Sequence, residues 1–154
     1  MTVAEVEASA SIDLIVRSYS YGTGRPGNCA YAKPQAGPPE LSFMIIDDRI
    51  ARVDVSATAG HQVEGRTVAI EVESSQISTP EGIGLWASEA EVVAAYPEAE
   101  ITRHGYVEGH YLTITDPDPP HHSIIFETDA NQGHQVINFR SGRSPEVHWI
   151  EGCS

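Results

Sequence analysis

The chain has 154 residues, 40% of them hydrophobic, with 22 Asp and Glu against 9 Lys and Arg and a net charge of −13. That length suits one domain with one core. The charge disfavours phosphate backbones and anionic lipid surfaces, so nucleic acid is an unsuitable partner, whereas a cationic protein or a divalent cation would be attracted. No apolar run approaches the ~20 residues of a membrane-spanning helix, so membrane insertion is not expected.

Residues 1–10 include Met1, Val3, Val6, Glu5 and Glu7 but no basic residue, and they lack the features of a secretory signal. The chain therefore reads as an intracellular protein or as a mature form without its leader. Ile12 to Tyr21 reads as a first strand, with no clear helix before it, and Gly22-Thr-Gly-Arg-Pro-Gly27 as the turn that ends it. Prolines make Ala32 to Glu40 a loop. Leu41 to Ile46 is an apolar strand, Asp47-Asp48 a turn, and Ile50 to Val55 the returning partner. Residues 66–73 alternate, placing Val68, Ile70 and Val72 on one face.

One helix is marked, over residues 89–96. Ser88 is positioned to cap it and Glu91 to complete a capping box, while Val92 and Tyr96 share a face and Pro97 ends it. Strand-length segments follow at 100–107, 110–116, 122–128, 134–140 and 146–151, separated by Gly, Pro, Asp or Asn. The stiff Asp116-Pro-Asp-Pro-Pro120 connection lies among them. The expected fold is therefore α+β and mainly β: an antiparallel sheet with one short helix packed on it. The apolar strand, acidic turn and returning strand of 41–53 reappear with a longer turn at 123–139. Two hairpins with common chemistry explain this, as does a duplicated unit, which would divide the single domain 1–154 into 11–75 and 80–153.

The stretch Ile83-Gly-Leu-Trp-Ala-Ser-Glu-Ala-Glu-Val-Val-Ala-Ala-Tyr96, followed by strands, resembles a helix-plus-sheet unit of the β-lactamase-inhibitor-protein-like fold and of small outer-membrane assembly lipoproteins. Phe43 to Val55, Gly109-His-Tyr-Leu and the ending Pro145-Glu-Val-His-Trp-Ile-Glu-Gly-Cys153 also resemble a group of uncharacterised, mostly exported bacterial proteins. The resemblance implies a periplasmic or secreted location and a binding role, with the cytoplasm as the alternative. It implies no catalytic set.

Two cysteines, Cys29 and Cys153, are too few for the usual sulfur-ligated zinc site and too far apart for a local redox motif. They are either two buried thiols or a disulfide tying the C-terminal tail to the first third of the chain. The disulfide is the expectation. Gly22-x-Gly24-x-x-Gly27 matches a dinucleotide fingerprint in form, yet no helix follows it, and no Gly-x-Ser-x-Gly elbow occurs. Asp116, Asp118, His121 and His122 form the only local set able to converge on a metal, but a proline-rich loop holds ligands poorly. These side chains are expected to face solvent, with no metal and no cofactor. Trp86, Tyr106, Tyr111, Arg140 and Arg143 are the candidate binding residues, because exposed aromatics and arginines anchor partners. The expected function is non-catalytic recognition of a protein or envelope component with cationic character. The rival is a small hydrolase, lyase or isomerase with a cleft lined by His104, His110 and Tyr111.

Overall fold

The computed structural model describes residues 1–18, 29–63, 66–119 and 121–153. The chain begins with helix α1 (Val3–Ala10), then strands β1 (Leu14–Ser18), β2 (Cys29–Pro34), β3 (Leu41–Ile46) and β4 (Arg49–Ser56). A hairpin of β5 (Thr58–Val63) and β6 (Arg66–Glu71) follows. Helix α2 (Glu89–Ala95) then leads into β7 (Glu100–Arg103), β8 (His110–Thr115), β9 (His122–Asp129) and β10 (Gln135–Arg143). Among the described residues, eight strands form one sheet in the order β1-β2-β3-β4-β10-β9-β8-β7, with every neighbouring pair antiparallel. The mainly β, α+β class agrees with the sequence reading.

The sheet is two four-stranded meanders joined edge to edge at β4 and β10, each preceded by a helix. Their registers agree closely. The N-cap of α1, Thr2, bridges Arg49 at the start of β4, and the N-cap of α2, Ser88, bridges Gln135 at the start of β10. The same sequence interval separates Thr2 from Ser88, Arg49 from Gln135, and Leu14 from Glu100.

Both helices open with a complete capping box, Thr2 with Glu5 and Ser88 with Glu91, which satisfies otherwise orphaned N–H groups. They lie over one face of the sheet. Val92 and Tyr96 pack on Val55, Leu112, Phe126, Val136 and Phe139, while Val6 packs on Ala30, Ala32, Phe43 and Ile45. Val53 and Val55, two apart on β4, each join one of these clusters, so a single strand face serves both helices.

Three expectations need correction. The N-terminal segment is helical, because its capping box and the burial of Val6 suffice once the sheet is present. Residues 32–34 belong to β2 rather than to a loop, with Pro34 as its last residue, where no further ladder donor is needed. Residues 146–151 form a short 3₁₀ turn, Glu146–His148, and irregular chain in place of a strand. The Gly22–Gly27 turn and the end of the first expected strand lie outside the described residues.

That C-terminal segment turns back across the helix-free face of the sheet. Its carbonyls find guanidinium donors where a strand would have found a ladder. Arg52 donates from Nη1 to the carbonyls of Glu146 at 3.0 Å and Trp149 at 2.7 Å, and Arg140 donates from Nε to that of Val147 at 2.6 Å. Cys29 and Cys153 are disulfide-bonded with Cα atoms 5.6 Å apart, within the range such a bond requires. Met44, Ile46 and Ala51 pack around the bridge, with Trp149 and Tyr31 against them.

Candidate functional site

Strand alternation gives the helix-free face its chemistry. On β4 the residues between Val53 and Val55 and before Val53 are Asp54 and Arg52; on β9 the residue after Phe126 is Glu127; on β10 the residue after Phe139 is Arg140. Each faces away from the helices because its neighbours face toward them. β4 and β10 are paired at the centre, with Asn138 opposite Ser56 and Arg140 opposite Asp54. Charged side chains from both halves of the sheet therefore meet at one place.

They neutralise one another. Arg52 pairs with Asp54 at 2.9 Å and donates to the Tyr31 hydroxyl at 2.9 Å. Arg140 pairs with Glu127, whose other carboxylate oxygen accepts from the Asn138 amide at 3.3 Å. Arg52, Arg140 and Glu127 are all buried, and a buried charge is tolerable only when paired and hydrogen-bonded in this way. Burial, reinforced by Arg52, brings the Arg140 guanidinium down to about 10, so it stays charged at neutral pH. Burial likewise raises the Asp54 carboxyl, although the Arg52 cation opposes it. Above this floor lies an open depression of about 320 Å³ bordered by Tyr31, Lys33, Ser42, Asn138 and Ile150.

Beside it, His104 stacks on Tyr111 with ring centroids 4.3 Å apart. Its Nδ1 accepts from the backbone N–H groups of Tyr106 at 3.1 Å and Val107 at 3.3 Å. The proton therefore sits on Nε2, which points at Glu127, 3.5 Å away. Burial and the Arg140 cation lower the His104 pKa, although Asp129 opposes them, consistent with a neutral ring. The Tyr111 hydroxyl is buried and has no hydrogen-bond partner among the described residues.

The expected binding residues are divided by this geometry. Tyr111 and Arg140 belong to the helix-free face, and Tyr106 stands 69% exposed on the β7–β8 connection with its hydroxyl 3.1 Å from Glu151. Arg143 is tied to Glu146 at 3.0 Å beside the C-terminal turn. Trp86 lies elsewhere. It braces the entry to α2, donating from Nε1 to the Val72 carbonyl at 2.9 Å and pairing its backbone N–H with Val136 at 2.8 Å. These bonds hold it at φ 69°, a conformation a bulky residue rarely adopts.

The expected enzyme set is split as well. His104 and Tyr111 touch, but His110 opens β8 on the opposite side of the strand from Tyr111, and its Nδ1 lies 2.8 Å from Glu89 at the start of α2. Asp116, Asp118, His121 and His122 are all exposed, and backbone groups supply the links among them: the Asp118 N–H donates to Asp116 Oδ1 at 2.9 Å, and His121 Nδ1 lies 3.4 Å from the Asp116 carbonyl.

Sequence reasoning overlooked Arg52, Asp54, Glu127 and Asn138. The available signal was the charges inside the strands of two largely apolar hairpins, 41–55 and 123–140, because a charge at such a position must find a partner across the sheet. Compared with known proteins, the chain matches no protein-family model, no curated protein and no solved structure.

Proposed function

We propose that this is a non-catalytic binding protein of the bacterial envelope or exterior, which recognises a protein partner with basic character through the depression at the β4–β10 junction. One observation carries the reading: the floor is a set of charges already locked to one another, so a partner would meet a rigid polar surface without ordering it first. Tyr31, Ser42 and Ile150 supply contact area around it, and the chain's charge of −13 would steer a basic partner inward. The Cys29–Cys153 bond suits an oxidising compartment. A catalytic reading draws less support, since the His104 ring spends Nδ1 on backbone donors and His110 lies apart from it.

Photo-crosslinking in the native host tests the reading. A crosslinking residue placed at Ser42 or Ile150 should capture one protein, and the same residue at Val93, exposed on α2, should not. Equal capture at Val93, or none at the depression, would overturn it. Cys29 and Cys153 should resist thiol labelling in protein quenched directly from the host. Free thiols there would return the protein to a reducing compartment.

A further inference from the structure

The opposite side of β8 holds a second constellation, assembled from four separate elements. Glu89 is the first residue of α2, His110 opens β8, Thr128 lies in β9, and His134 sits in the turn before β10. Gly109 makes the assembly feasible, because any side chain there would strike the Thr128 carbonyl as β8 enters alongside β9. The His110 backbone N–H then donates to Thr128 Oγ1 at 3.0 Å.

Three possible ligand atoms converge. The Oε1 atom of Glu89 lies 2.8 Å from His110 Nδ1 and 3.6 Å from His134 Nδ1, and all three ligand atoms lie within 4.8 Å of one another. In a tetrahedral zinc site with ligands at 2.0–2.1 Å, neighbouring ligand atoms are about 3.3 Å apart. The two distances from Glu89 bracket that value. His134, half exposed on a turn, has room to close the remaining edge. Thr128 Oγ1 donates to the same Glu89 oxygen at 2.5 Å, the outer-shell bond that orients a ligating carboxylate.

We propose that Glu89, His110 and His134 bind a divalent first-row transition ion, zinc above all. Two imidazoles and one carboxylate form a donor set that suits such ions. Three protein ligands leave one coordination position, which would open toward a depression of about 480 Å³ bordered by Thr102, Arg103, Glu108 and Ala130. Glu108 favours the cation there and Arg103 opposes it. An exogenous carboxylate or imidazole from a bound partner could complete the shell.

Cobalt(II) is the probe, added to tag-free, chelator-treated full-length protein near pH 7.5. The expected result is one equivalent bound, with the visible absorption of a tetrahedral ion, displaced by zinc. Glu89→Gln and His134→Asn should each remove that spectrum; asparagine keeps the left-handed backbone of His134 at φ 55°. Thr128→Val should weaken binding about 10–100-fold while all three ligands remain. His121→Ala with His122→Ala should change nothing. Far-UV circular dichroism of each variant reports folding, and a zinc-dependent rise in wild-type Tm gives a second readout. Absence of stoichiometric cobalt binding by the wild type, or a spectrum that survives Glu89→Gln and His134→Asn in folded protein, would overturn the proposal.

Discussion

The two halves of the sheet share a plan and differ in what holds each of them together. In both, a capped helix is pinned by its N-cap to the start of the last strand. In the second half, α2 presses Val92 and Tyr96 onto Leu112, Phe126, Val136 and Phe139. In the first, α1 buries only Val6, with Val3 partly buried beside it, and its strands answer with Ala30 and Ala32 beside Phe43 and Ile45. The first half compensates on the other face, where the C-terminal segment is fastened by Arg52 and by the Cys29–Cys153 bond. A repeated scaffold can thus rest on a helix in one copy and on a borrowed tail in the other, because a sheet needs each apolar face covered but is indifferent to the source of the cover.

Breaking the disulfide should test that asymmetry most severely. It closes a separation of 124 residues, and Cys29→Ser with Cys153→Ser should cost about 4–5 kcal/mol in the chain-entropy account. Urea midpoints of variant and wild type measure the loss. Hydrogen exchange should show β2 and β3 losing protection before β8 and β9. Uniform loss across the sheet would mean that the halves do not differ as described.

Removing a charge beside the junction, within the second half, should come next. Glu127→Leu leaves Arg140 buried without its carboxylate and should cost about 3–5 kcal/mol. The double variant Glu127→Leu with Arg140→Met should recover much of that. If the double variant is no better than the single one, the pair matters through its bond to Val147 rather than through charge balance.

A smaller effect compares the helices directly. Val92→Ala, at a fully buried position, should cost about 2–3 kcal/mol, and Val6→Ala about 1 kcal/mol. The caps should follow the same order, with Ser88→Ala costing about 1 kcal/mol and Thr2→Ala less, since a helix that buries less transmits less of its own loss. Thermal unfolding of the four variants is sufficient to rank them.

The mildest expected effect is a pH dependence from His104. Its folded pKa is depressed below the ordinary 6.5, so between the two values the unfolded chain binds a proton that the folded one refuses. Stability should be complete above about pH 6.5 and should fall as the pH drops below it. His104→Gln should flatten that slope. A stability that rises on acidification through this range would mean that His104 is charged in the folded protein and paired with Glu127.

Much of the second half was legible from sequence. Ser88, Glu91, Val92, Tyr96 and Pro97 carry a helix start, face and stop within ten residues, and in the first half Leu41 to Ile46 was delimited without error. The first helix carries the same Thr2-x-x-Glu5 box, but one buried valine is too weak a period to declare it. The hairpins of 41–53 and 123–139 do occupy corresponding places in the two meanders, as β3–β4 and β9–β10. The Cys29–Cys153 pairing followed from cysteine count, since two cysteines permit a single intramolecular bridge.

Local chemistry, then, was settled by the chain itself: caps, turns, alternation and the identity of the disulfide partners depend on residues near in sequence or on simple counting. The pairing of β4 with β10 was decided only in three dimensions, as were the polar contacts between residues far apart in sequence. Arg140 facing Glu127, Arg52 reaching the carbonyls of Glu146 and Trp149, and Glu89 meeting His110 and His134 all depend on which strands become neighbours. Strand partnership is chosen by the total burial of both sheet faces rather than by any one segment. A charge in a strand therefore announces that it needs a partner, and the fold alone names it.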